Sequence, residues 1–214
     1  MWLAIGLTAL IHILSIDRGP KWIFYLSKPT PIVLMMAVIF HSDIASLGYA
    51  QWILAGLALS AIGDVFLMHP KDKFVPGLLS FLLAHIAYAI GFSEFANPQI
   101  THWIPILLLC SGVIVFLFLL PNLGNMAIPV AFYILVIMVM TWCAMEYWHD
   151  IGSQSASLAM MGAFIFMLSD LVLAIDRFRS TSKFSRHVIM VTYYTAQALI
   201  TLSAVALSTR VLTF

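Results

Sequence analysis

The chain has 214 residues, 63% of them hydrophobic and only 9% charged, with a formal net charge of +1 and a mean hydropathy of +1.04. That balance excludes a soluble enzyme, because no polar stretch is long enough to build a separate folded unit, and residues 1–214 read as a single integral membrane domain. It also excludes a nucleic-acid surface, since no basic cluster is interleaved with aromatics.

A bilayer span needs about 20 predominantly apolar residues. Pro, Gly and charge divide the chain into eight such segments, near 2–16, 22–40, 50–68, 76–95, 102–120, 126–147, 156–175 and 187–209, so an all-α polytopic helix bundle is expected. The first is short, and without it seven remain; it lacks a basic leader and a small-residue cleavage site, and so reads as a span rather than a removed signal. The second is interrupted by Lys28-Pro29-Thr30-Pro31, where two residues without a backbone N–H should kink the helix. The third carries Asp64 in Leu57-Ala-Leu-Ser-Ala-Ile-Gly-Asp64 and the seventh Asp170 in Phe164-Ile-Phe-Met-Leu-Ser-Asp170. A carboxylate at membrane depth is costly and marks a functional site by default. Each follows a small residue, Gly63 or Ser169, of the kind that lets helices approach closely. Cys110 and Cys143 fall inside spans and read as small buried hydrophobes rather than a disulfide or metal pair.

Lys and Arg concentrate in cytoplasmic loops. Arg18 and Lys21 follow the first span, Lys71 and Lys73 the third, and Arg177, Arg179, Lys183 and Arg186 the seventh, leaving only Arg210 at the far end and Lys28 inside the membrane. Both termini should therefore be non-cytoplasmic. With a rise of about 1.5 Å per residue, Lys28, Asp64 and Asp170 should lie roughly 6 to 9 Å below the cytoplasmic ends of their helices. His12, Tyr133 and Tyr193 share that layer, with His85 and Gln197 slightly deeper.

Helical phase supports a common interior, because positions four and seven apart share a face. Gly56, Ser60, Gly63 and Asp64 align on the third span, Gly77, Phe81, His85 and Tyr88 on the fourth, and Tyr193, Gln197 and Thr201 on the eighth. A small residue before Asp in spans three and seven hints at a four-plus-four parallel duplication, although the remaining residues of the two halves align poorly.

Burial favours a neutral carboxyl and a nearby ammonium favours a charged one. Two aspartates beside Lys28 would share a proton and supply an acid and a base at the same pH. That suits hydrolysis of an acid-labile bond through a cationic intermediate, with no metal or cofactor, and either aspartate can be the acid.

Lys28-Pro29 with Pro31, Gly63-Asp64, the Gly77/Phe81/His85/Tyr88 stripe, Pro129 with Tyr133, Ser169-Asp170, and Tyr193-Tyr194 with Ala196-Gln197 together resemble the YhhN-type lysoplasmalogenase family of integral membrane proteins. The resemblance covers nearly the whole chain. It implies hydrolysis of the vinyl ether of lysoplasmalogens to a fatty aldehyde and a glycerophospho-alcohol, in a bacterial inner membrane. It also implies Asp64 and Asp170 as catalytic residues, with Lys28, His85, Tyr133, Tyr193 and Gln197 lining the site. The expected partners are a lysophospholipid substrate and membrane lipids; the oligomeric state is not indicated. Substrate would come from the cytoplasmic leaflet, with its head group near Lys71, Lys73 or the 177–186 basic loop.

Other functions fit less well. An intramembrane aspartyl protease also places aspartates on two spans, but its Gly-x-Gly-Asp is broken by Ala61, and no Pro-Ala-Leu follows Asp170. A proton-coupled transporter could use the same ionisable groups, yet only the second span is plainly interrupted. No His-x-x-x-His or His-Glu-x-x-His suggests a metallohydrolase. His41, His69, His102 and His149 fall at span ends, and Glu146, beside Trp142 and Trp148, reads as interfacial.

Overall fold

The computed structural model describes residues 1–42, 44–95, 101–182 and 184–211, with side chains through residue 207. Lys183 and the Arg210 side chain, named above for orientation, lie outside the described residues. The helices are α1 (Trp2–Ser15), α2 (Lys21–Ser27), α3 (Thr30–Phe40), α4 (Gly48–Leu67), α5 (Phe74–Ser93), α6 (Trp103–Leu119), α7 (Ala127–Ile151), α8 (Gln154–Phe178) and α9 (Ser185–Val211), and there is no strand among the described residues. Seven stretches are long and apolar enough to cross a membrane, α2 and α3 counting together as Lys21–Phe40. With 14 residues, α1 spans about 21 Å, short of a hydrocarbon core of about 30 Å.

The second span breaks at its prolines. Pro29 and Pro31 remove the N–H groups that the carbonyls of Tyr25 and Ser27 would use in a continuous helix. Thus α2 stops at Ser27 and α3 restarts at Thr30. Lys28 stands in the break, 8% exposed, and its carbonyl accepts a hydrogen bond from Tyr194 Oη at 2.8 Å.

Helices α3, α4, α5, α7, α8 and α9 pack in that cyclic order, each on the next and α9 back on α3, with α1 outside on α3 and α6 outside on α7. The α4–α5 and α8–α9 hairpins are the most extensive pairs. Every residue of the three small or polar stripes through Gln197 and Thr201 is buried, so those faces form the ring interior. Close approach of α4 and α5 depends on glycine. A Cβ on Gly56 would lie 2.2 Å from the Tyr88 ring, and one on Gly63 2.7 Å from the Phe81 ring.

The ends are tied by polar contacts. Opposite the α4–α5 loop, Gly152 adopts φ +58°, the left-handed conformation that glycine provides at a helix C-terminus. Ser153 Oγ then caps α8 by accepting from Ala156 N at 3.1 Å. Nearby, Tyr49 Oη and Ser203 Oγ are 2.6 Å apart, and Tyr147 donates to Ser155 Oγ at 2.8 Å. Among the span-length stretches the one holding α6 is the least buried, with Ile106, Leu107, Leu109, Val113, Ile114 and Leu117 exposed. Cys110 on α6 is exposed too, and Cys143 is half-buried. The expectation of two buried cysteines therefore fails for Cys110, because it falls on the face of α6 turned away from the ring. Glu146 lies near the end of α7 but is buried, accepting from Trp142 Nε1 at 2.9 Å and from Thr101 N at 3.1 Å.

Candidate active site

Asp64 is 1% exposed and lies one turn before the end of α4, where Gly63 admits the Phe81 ring beside it. Lys28 Nζ is 3.5 Å from its Oδ1, and Tyr193 Oη donates to Oδ2 at 2.8 Å. The proline break holds the lysine backbone while Tyr194 anchors its carbonyl, so α3, α4 and α9 together fix one buried ion pair. A charge out of water is tolerated only when paired and hydrogen-bonded. Both conditions are met at Asp64.

Asp170 has a different environment. Tyr133 Oη donates to its Oδ2 at 2.5 Å, and His85 Nε2 lies 3.5 Å from the same oxygen. Among the described residues no Lys or Arg comes within ion-pair distance of it. Neither nitrogen of the buried His85 ring makes a full hydrogen bond; besides the Asp170 carboxyl, the imidazole meets the Phe81 backbone and the Tyr133 and Phe166 rings. Phe166, one turn earlier on α8, packs edge-on against His85 at 4.6 Å and Tyr193 at 5.6 Å between centroids. It links the surroundings of the two aspartates.

Both aspartates line one cavity of about 390 Å³, together with Lys28, Ser169 and Tyr193. Its outer wall is polar, made by Asp72, Asp176, Arg177 and Arg186, and its inner wall includes Phe24, Leu67, Phe81 and Leu173. Asp72, held at φ 44° in the α4–α5 turn, pairs with Arg177 at 2.8 Å. Asp176 accepts from Ser182 N at 3.2 Å and from Ser185 Oγ, which secures the α8–α9 turn. The cleft therefore joins a basic and acidic mouth to two carboxyl groups below it, a shape matched to an amphiphile with a charged head.

The remaining site expectations fall at varied distance from the cleft. Tyr133 and His85 reach Asp170 from behind, and His12 borders the cleft while its Nδ1 lies 3.0 Å from Ser27 Oγ. Gln197 is fully buried and accepts from Tyr88 Oη at 2.7 Å, bordering neither the cleft nor Asp170. The depth expectation needs adjustment: α8 continues to Phe178, which puts Asp170 eight residues, or about 12 Å, from its helix end. Asp72, in the α4–α5 turn, and Asp176, in the last turn of α8, escaped sequence reasoning because acids beyond the apolar run of a span carry no hydropathy signal; Tyr88 was legible only as part of a stripe. Among the described residues, the cluster of side chains able to share a metal ion is Glu146, His149 and Asp150, near the opposite end of α7 from this cleft.

Comparison with known proteins adds a relationship. A family model described as the YhhN family matches residues 23–204. Bovine lysoplasmalogenase TMEM86A is 36% identical over 197 residues, covering 88% of this chain and 81% of its own. Rat lysoplasmalogenase TMEM86B is 37% identical over 195 residues, covering 88% and 76%. The membrane protein YhhN of Escherichia coli O6:H1 is 24% identical over 199 residues, covering 93% and 95%. No solved structure matches the chain.

Proposed function

Because this chain belongs to the YhhN family, and relatives that match most of its length are lysoplasmalogenases, we propose that it is a membrane lysoplasmalogenase, hydrolysing the vinyl ether of a lysoplasmalogen by aspartate acid and base chemistry. The observation that carries the mechanism is the unlike setting of two carboxyl groups on one cleft wall. Lys28 supplies a countercharge to Asp64, which favours its carboxylate form. Asp170 has a phenol and an imidazole as neighbours instead, surroundings suited to a neutral acid.

The steps follow from vinyl ether chemistry. Asp170 delivers its proton to the β-carbon, and the enol ether electron pair forms the new C–H bond, leaving an oxocarbenium ion at the α-carbon. The Asp64 carboxylate stabilises that cation and takes a proton from the water that adds to it, giving a hemiacetal. Collapse of the hemiacetal breaks the C–O bond: the aldehyde forms as the hydroxyl loses its proton, and the leaving alkoxide gains the one held by Asp64. The proton lost from the hydroxyl restores Asp170. The sum consumes one water and needs no oxidant. Arg186 and Arg177 at the cleft mouth suit the phosphate, and the positive-inside bias of the loops favours access from the cytoplasmic leaflet.

The test is release of fatty aldehyde from a lysoplasmalogen by detergent-purified protein. Asp170→Asn and Asp64→Asn should each lower turnover by about 10²–10⁴-fold, the usual range for a lost general acid or base, while the protein stays folded. The wild-type pH profile should be bell-shaped. Its acidic limb, where activity falls as the base is protonated, belongs to Asp64, and its alkaline limb, where activity falls as the acid is deprotonated, to Asp170. Full activity in either variant would remove that residue from the mechanism. Aspartate-dependent proton flux in proteoliposomes without aldehyde would make the protein a transporter.

A further inference from the structure

Asp170 borders a second cavity. This one, about 230 Å³, lies between α6, α7 and α8 and is lined by Ser111, Val115, Leu119, Val130, Ile134, Ile137, Met138 and Met167 among others, with only Tyr133 and Asp170 bringing strongly polar atoms besides the Ser111 hydroxyl. That hydroxyl is turned back to the Leu108 carbonyl at 2.7 Å. Phe74, Leu173 and Asp170 border this groove and the polar cleft alike. Half-exposed Leu168, at 49%, opens the groove sideways toward lipid.

An apolar surface on a membrane helix needs no special occupant, since lipid covers it as well as protein does. This groove differs in having a carboxyl group and a tyrosine hydroxyl set 2.5 Å apart in its wall, with the charged mouth of the cleft on the other side of the same aspartate. Such a wall fits a molecule that is charged at one end, acid-labile at its middle and hydrocarbon beyond. Resting on the lysoplasmalogenase reading, the geometry points to the groove as the binding site for the alkenyl chain of the substrate, entered at Asp170 and leading toward Ser111 and Met138. The head group stays at the Arg177 and Arg186 side of the cleft, so the chain runs the other way along α7, from Tyr133 to Met138. Those five residues advance about 7 Å. Ser111 Oγ, 3.9 Å from Met138 Sδ, marks the far end, where a long chain passes out between α6 and α8.

Because lipid competes on equal hydrophobic terms, the groove selects by shape. A bulky residue at Ser111 should stop a long chain and spare a short one. The experiment compares kcat/KM for octadecenyl and hexenyl lysoplasmalogens. Ser111→Trp should lower the octadecenyl value relative to the hexenyl value by about tenfold or more, the scale on which an apolar enzyme pocket discriminates chain atoms. Retained hexenyl turnover reports that the variant folds. Leu117→Trp, 57% exposed on the same helix and on the face turned away from the Ser111, Val115 and Leu119 stripe that lines the groove, should leave the ratio unchanged. An unchanged ratio in Ser111→Trp overturns the groove assignment and leaves the hydrolase reading intact. If the wild type releases no aldehyde, the hydrolase reading fails and labelling decides the groove. Ser111→Cys, in a background of Cys110→Ser and Cys143→Ser, should react several-fold more slowly with a maleimide when an uncleavable octadecyl ether lysolipid is bound, and an unaltered rate would overturn the assignment.

Discussion

The tyrosine hydroxyl 2.5 Å from Asp170 Oδ2 is a contact that phenylalanine removes with little change of shape. A hydrogen bond to the carboxylate that Asp170 becomes as it gives up its proton contributes about 1.5–3 kcal/mol, so Tyr133→Phe should lower kcat/KM by about 10- to 100-fold, with an intact melting curve showing that the loss is local. The buried Lys28–Asp64 pair behaves differently. Lys28→Met strands a carboxylate that is 1% exposed, and breaking a buried pair from one side destabilises by roughly 3 kcal/mol. Adding Asp64→Asn removes the stranded charge. The double variant should therefore regain thermal stability in detergent while staying inactive; a double variant no more stable than the single would mean that the pair is not coupled in this way. At this scale the candidate site was partly legible. An Asp, a Lys or a Tyr in an apolar span announces itself because such placement is expensive. Which oxygen meets which hydroxyl, and that Gln197 serves Tyr88 rather than an aspartate, depends on side-chain directions that a spacing pattern does not contain.

At the scale of helices, α4 and α5 meet through glycines whose missing Cβ atoms make room for aromatic rings. Gly56→Ala would put a methyl group 2.2 Å from the Tyr88 ring, forcing the ring and its bond to Gln197 aside. Overpacking of this kind costs about 1–3 kcal/mol, and the variant should melt several degrees below wild type in detergent; an unshifted transition would show that the ring yields freely. The helices themselves were readable in type and order, because apolar length and proline are strong local signals, but of eight expected spans the first, α1, is too short to cross and seven remain. Their ends were less so. Hydropathy stops where the chain becomes polar, near 147 and 175, while α7 runs on to Ile151 and α8 to Phe178. Backbone hydrogen bonding continues past the hydrocarbon, and local chemistry ends it: Gly152 in the left-handed region and Asp176 bonded to the next turn.

For the whole molecule, the cleft opens at the end of the ring that carries Lys71, Lys73, Arg177 and Arg186, and the Gly152–Ser153 turn closes the opposite end. Basic residues are retained on the cytoplasmic side, so the orientation we propose puts the cleft mouth on that side and the Gly152 turn on the other. The assignment decides which leaflet supplies the lysolipid, since the head group must remain at the aqueous boundary while the chain lies in the groove. In a background lacking Cys110 and Cys143, Lys71→Cys should be silent to a membrane-impermeant maleimide in intact cells and should label after permeabilisation. Gln154→Cys, exposed at the start of α8, should label in both. The reverse pattern would place the same pair of aspartates beneath the outer leaflet, where the aldehyde and the glycerophospho-alcohol of the proposed reaction would be released outside the cell.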